Sequence, residues 1–130
     1  MNANAEKWVA ALRSGDYAQT KGVLHREREV NESHPAGYCC LGVACDLYQK
    51  EVGDLEIDPT NAWVNYDGRS SFLPNKVVNW LALRNDDGSY RITCNHEDDW
   101  DSLSTQNDNG VSFNMIADII ESKPEGLFNG

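Results

Sequence analysis

The sequence predicts an α+β fold, a compact single domain over residues 1–130 in which short helices interleave with β-hairpins. Three observations carry that expectation. With 130 residues, the chain buries roughly 65–70% of the surface its unfolded form exposes, enough for a core without disulfide staples. Its 4 Trp, 5 Tyr and 3 Phe supply large side chains for that core and oppose disorder. Apolar residues at helical spacing alternate with turn-rich stretches such as Asp67-Gly68 and Asn109-Gly110, and no repeat or linker divides them.

From the N-terminus, Asn4 to Leu12 reads as a helix with Ala5, Trp8, Val9 and Leu12 on one face. Gly15 can take the left-handed conformation that ends it, and Arg13 suits the negative end of the helix dipole. The polar-rich stretch from Val23 to Val30 reads as a hairpin strand or two, and Asn31 to Gly37 as a loop. Gly37 to Tyr48, running on to about Gln49, is expected to be a buried helix. Trp63 to Tyr66, the turn Asp67-Gly68 and a return over Arg69 to Phe72 carry a hairpin signal. Pro74 fits the first turn of a helix through Leu81 that buries Val77, Val78 and Leu81. Asn85 to Gly88 is a turn, and Ser89 to Cys94 alternates like a strand. Asp98 to Leu103 is expected to form one helical turn with Trp100 and Leu103 inward, and Asn107 to Gly110 a tight loop. Ser112 looks like the N-cap of a last helix, Phe113 to Ser122, with Phe113, Ile116, Ala117 and Ile120 as its core stripe. Pro124 ends it.

Charge narrows the function. Eleven Lys and Arg against 21 Asp and Glu give a net charge of −10, and both halves of the chain are acidic. A non-specific nucleic-acid binder needs clustered cations to release phosphate counterions, so direct nucleic-acid binding is not expected. Attachment to anionic lipid is disfavoured for the same reason, and no apolar stretch approaches the ~20 residues of a membrane span. No basic flank followed by an apolar run stands at the N-terminus, so a cytoplasmic location is expected. A few Arg converging in one pocket can still hold a phosphate on an acidic protein.

Cys39, Cys40, Cys45 and Cys94 lack the paired spacing of a zinc knuckle. A site from Cys39, Cys45, Cys94 and His96 can be assembled, but nothing local enforces it. The helical spacing of Cys40, Ala44 and Leu47 and of Leu41, Cys45 and Tyr48 favours cysteine as a small core residue. No metal and no cofactor are expected. Neither a P-loop, a dinucleotide fingerprint, a zinc-protease motif nor a nucleophile elbow occurs.

Four segments together form a distinctive pattern: Trp8 to Tyr17 with Gln19 and Gly22; Gly37 to Asp46; Phe72 to Trp80; and Leu103 through Asn107-Asp108-Asn109-Gly110 to Glu121. In these the chain resembles a family of small proteins encoded by tailed bacteriophages and prophages. Residues 51–70 and 84–100 follow no such pattern. The resemblance implies a phage origin, a location in the bacterial host cytoplasm and a role in countering host immunity.

Several side chains in these segments carry both a structural and a binding reading. Arg13 caps the first helix or holds a phosphate by a bidentate fork. Tyr17 and Tyr38 pack, or stack on a base. Gln19, Asn107 and Asn109 offer amides that can read a base edge, Asp108 can accept from ribose hydroxyls, and turn chemistry explains residues 107–110 as well. Ser112 with the N–H of Phe113 opens a helix N-terminus, a physically sound anion site. The run Glu97-Asp98-Asp99 with Asp101 reads as a solvated face.

Three functions compete. The first is a non-enzymatic protein, expected to be a homo-oligomer, that sequesters a small nucleotide-derived signal through aromatic stacking and a few convergent Arg. The second is an acidic protein that inhibits a host defence protein by direct binding or nucleic-acid mimicry. The third, a nucleotide-processing enzyme using Cys39 or Cys40, requires a low thiol pKa and a neighbouring base such as His25, His34 or His96.

Overall fold

Asn2 opens the molecule by accepting the Ala5 N–H on its side chain, which caps helix α1, Ala3–Ser14; Gly15, at φ +79°, closes it in the left-handed conformation. Ala5, Trp8, Val9 and Leu12 are buried, as their spacing requires. A computed structural model describes residues 1–32, 34–60, 62–94 and 97–129. Among these the chain runs β1 His25–Arg26, β2 Gly37–Tyr38, α2 Cys40–Glu51, β3 Ile57–Pro59, β4 Val64–Tyr66, α3 Asn75–Leu81, β5 Ser89–Cys94, β6 Glu97–Ser102, α4 Leu103–Asp108 and α5 Phe113–Glu121. The strands form antiparallel pairs β1–β2, β3–β4 and β5–β6. The fold is therefore α+β, with α2 at the centre of the core.

Helix α2 presents Leu41, Val43, Ala44 and Cys45 with no exposed surface. Gly42 is required there: a Cβ on it would lie 1.7 Å from the Leu24 carbonyl oxygen. Trp8 reaches the same helix and donates its indole N–H to Cys40 O at 2.9 Å. Helix α5 keeps the expected stripe of Phe113, Ile116, Ala117 and Ile120 buried, with Ser112 as its N-cap. Helix α3 buries Val77, Val78 and Leu81 behind Pro74, which stands at the N-cap just outside the first turn.

Four local expectations are corrected. Gly37 and Tyr38 are a strand, because Tyr38 exchanges backbone hydrogen bonds with Ala18 and Thr20; the helix begins only after Cys39. The partner of Trp63 to Tyr66 lies upstream in β3, and the return after Asp67-Gly68 is reduced to one bridge, Tyr66 to Arg69. Asp98 to Leu103 is mostly strand β6, since β5 imposes its register on it, and Trp100 is 54% exposed. Asn107 and Asp108 end helix α4, and the turn begins at Asn109. No helix among the described residues is long and apolar enough to cross a membrane.

Candidate functional site

The structure sorts the sequence-derived site residues into separate places. Asn107 lies at the centre with 0% exposure. Its Oδ1 accepts from Cys40 N at 3.1 Å and Gln19 Nε2 at 2.9 Å, and its Nδ2 donates to Thr20 O at 2.7 Å. Gln19 Nε2 also donates to Val111 O at 2.7 Å. Both amides thus join α4, α2 and the segment after α1, with the Asn107 oxygen and the Gln19 nitrogen each taken up twice by the chain itself. Asp108 Oδ1 accepts from Gly22 N at 2.9 Å, tying the end of α4 to the same segment. Asn109 is exposed at the α4 C-cap, and Phe113 faces the core. Ser112 Oγ accepts the Met115 N–H at 3.3 Å.

Arg13 reaches across to α5, where it donates to Asp118 Oδ1 and Glu121 Oε1, each at 2.7 Å. Those carboxylates raise its pKa further. It clamps α1 to α5 at the surface.

Tyr17 and Tyr38 do meet. Their rings stand edge to face at 5.1 Å, and the other side of Tyr38 stacks on His25 at 4.0 Å, nearly parallel. The Tyr17 hydroxyl donates to Asp46 Oδ2 at 2.5 Å, and Lys50 pairs with the same carboxylate at 2.9 Å. Burial, with Asp46 second, pushes the Tyr17 hydroxyl up to about 12. Burial lowers the His25 pKa, partly offset by Glu27 and Asp46. Every ring in this row already has a neighbour.

Cys39, Cys40 and Cys45 are buried free thiols. Cys39 caps α2 by accepting Gly42 N at 3.4 Å, and Cys40 Sγ donates to Leu103 O at 3.5 Å. Burial pushes the Cys39 thiol up to about 11 and raises Cys40 and Cys45 as well, so the thiolate is disfavoured. No group of three or more His, Cys, Asp or Glu suited to a metal occurs among the described residues. The expectation that drew on Cys94 and His96 falls outside the described side chains.

An open cleft of about 570 Å³, absent from the sequence reading, is lined by Arg84, Asn85, Arg91, Trp100, Glu125, Gly126 and Asn129. Register builds it. Arg91 stands directly opposite Trp100, and its N–H turns outward to Glu125 O at 2.6 Å. The pair is therefore the non-hydrogen-bonded kind, whose side chains stand close on one face. The Trp100 ring rests on Gly126, where φ is +87° and a Cβ would lie 3.0 Å from the indole. Arg91 Nη1 meets Glu125 Oε1 at 3.3 Å. Exposed Arg84 has no side-chain hydrogen bond or ion pair among the described residues. In the sequence the strand carrying Trp100 is hidden by the carboxylates of Glu97, Asp98, Asp99 and Asp101 and by the lack of apolar alternation.

Chemically, the cleft offers the Arg84 guanidinium and a flat indole face to a small molecule, with Arg91 held by Glu125 on its wall. The chain belongs to a family defined by a domain of unknown function, DUF8296, whose model matches residues 1–124. No curated protein and no solved structure matches it.

Proposed function

We propose that this protein is a non-enzymatic binding protein that captures a small anionic molecule bearing a flat ring, the chemistry of a nucleotide-derived signal. The observation that carries the reading is the juxtaposition of unpaired Arg84 with exposed Trp100 in one cleft of a chain whose net charge is −10. A guanidinium without a carboxylate partner on so acidic a surface is free to grip a phosphate by two parallel N–H bonds. The indole supplies a stacking face for the base. The high thiol pKa values favour capture over turnover. The phage origin implied by the sequence resemblance gives capture a purpose, namely lowering the free concentration of a host immune signal.

Calorimetric titration with AMP, ADP and a cyclic dinucleotide, followed in parallel by tryptophan emission, tests the reading. At least one should bind and shift the emission, with adenosine and ribose 5-phosphate each binding more weakly, and heating should return the ligand unchanged. Silence from all three nucleotides, or a chemically altered ligand, would overturn it. The acidic exterior supports a second reading, inhibition of a basic host protein, in which a protein complex dissociates steeply between low and high salt.

A further inference from the structure

A second cleft adjoins the one at Trp100. It measures about 310 Å³, and Glu125, Gly126 and Asn129 stand in the walls of both. The segment carrying these three residues is pinned to the rest of the chain. Glu125 O accepts from Arg91 N at 2.6 Å, Leu127 O from Arg84 N at 3.0 Å, and Asn129 N donates to Ala82 O at 2.7 Å. Asn129 Nδ2 adds a bond to Leu83 O at 3.1 Å, and Leu127 is fully buried. The ridge between the clefts is therefore preformed, and at Gly126 it carries no side chain.

This second cleft repeats the components of the first, a cation and a ring. Lys123 and half-buried Phe128 line it, as Arg84 and Trp100 line its neighbour. Lys123 is exposed and makes no side-chain hydrogen bond or ion pair among the described residues. Its backbone adds a separate observation. Three described non-glycine residues have positive φ, and two of them, Ala82 at +59° and Lys123 at +49°, line this cleft. Lys123 follows the C-cap of α5, a position that glycine fills without strain and lysine does not. The lysine thus costs stability there and gains no partner inside the chain.

Charge points the same way. Across both walls Arg84, Arg91 and Lys123 face a single carboxylate, Glu125, although the chain holds 21 Asp and Glu against 11 Lys and Arg. Arg91 and Glu125 pair with each other, which leaves one uncompensated cation in each cleft.

We propose that the two clefts together bind one dinucleotide, which straddles Gly126 with a base in each cleft and its phosphates on Arg84 and Lys123. The assignment rests on the nucleotide-capture reading of the Trp100 cleft and names its ligand class. The combined space stays within the roughly 300–1,000 Å³ of small-molecule sites. A ligand that spans two subsites gains affinity over either half alone, because the second contact is intramolecular.

Calorimetry with AMP, ADP and 5′-phosphoryl diadenylate tests it. The last carries nearly the charge of ADP, so a preference for it reports the second nucleoside. It should bind at least about tenfold tighter than ADP, with one molecule per chain. Lys123→Gly should keep the melting temperature within about 2 °C of wild type, since relief of strain offsets the freer unfolded chain. The same variant should cut the preference over ADP to about threefold or less. Equal affinity for ADP and the dinucleotide, with AMP still bound, would overturn this assignment and leave capture at Trp100 standing. A full preference in folded Lys123→Gly would overturn it as well. Failure of all three probes to bind would remove both readings together.

Discussion

Around Asn107 the chain turns its hydrogen-bonding groups inward, whereas around Trp100 it leaves a guanidinium and an indole facing water. The first region joins α2, α4 and the segment after α1 through one buried amide with three partners. The second is a hairpin laid against the C-terminal segment, with its cross-strand pair of Arg91 and Trp100 lining an open cleft. Both use residue types that sequence reasoning associates with ligand recognition. The difference lies in whether the fold has already satisfied them: a polar group with all its partners inside the chain specifies structure, and one held in place but unpartnered can bind.

The sharpest way to break this contrast is to attack the first region where it has no slack. Gly42→Ala places a methyl group 1.7 Å from a backbone oxygen of Leu24, a contact that no side-chain motion relieves. The variant should fail to fold, or lose more than about 4 kcal/mol, which circular dichroism and urea titration would show. Folding with near-native stability would mean that α2 does not pack on Leu24 as described.

Asn107→Leu comes next. It fits a similar volume but strands Cys40 N–H and Thr20 O in the interior, and each buried orphan costs roughly 1–3 kcal/mol. A loss of about 3 kcal/mol in the urea-derived stability is expected, with ligand binding at the Trp100 cleft retained by the protein that remains folded. If stability held while nucleotide binding vanished, Asn107 would be a recognition residue after all.

These two positions also show what the sequence made legible. Helices α1, α2 and α5 announce themselves through apolar residues at helical spacing and through caps at Gly15 and Ser112, because those signals are local. Asn107 looked like a turn residue because asparagine favours turns. Its actual role depends on Cys40 and Thr20, which lie far away in the chain. Asp98 to Leu103 reads as a helical turn in the sequence, since this charge-rich stretch shows no alternation, yet most of it is strand β6. Its strand geometry comes from pairing with β5, a tertiary effect. The ring contact of Tyr17 with Tyr38 is likewise a tertiary fact that neither residue's own surroundings in the chain encode. The cleft of Arg84, Trp100 and Glu125 joins stretches whose meeting no local pattern encodes.

A smaller effect separates the aromatic row from both regions. Burial holds the His25 pKa below its ordinary value, so the unfolded chain binds the proton more readily than the folded one. Stability contributed by neutral His25 is therefore complete above the unfolded value of about 6.5 and is lost as pH falls below it. The groups facing the ring are Tyr38, Tyr66, Glu27 and Asp46. The urea midpoint should decline between about pH 6.5 and pH 5, above the range where most carboxylates titrate, and His25→Gln should flatten that decline. A midpoint that rises on acidification in this window would contradict the assignment.

The least costly substitution for the fold should matter most for binding. Arg84 is exposed and its side chain engages no described residue, so Arg84→Ala should change stability by no more than about 0.5 kcal/mol. A hydrogen bond to a charged group is worth roughly 1.5–3 kcal/mol, so nucleotide affinity in the same variant should fall about tenfold to a hundredfold. Trp100→Ala should behave alike for ring-bearing ligands and leave ribose 5-phosphate binding nearly unchanged, because only the stacking face is lost. Affinity unaltered in both variants would place capture elsewhere and erase the distinction between a satisfied interior and a receptive cleft.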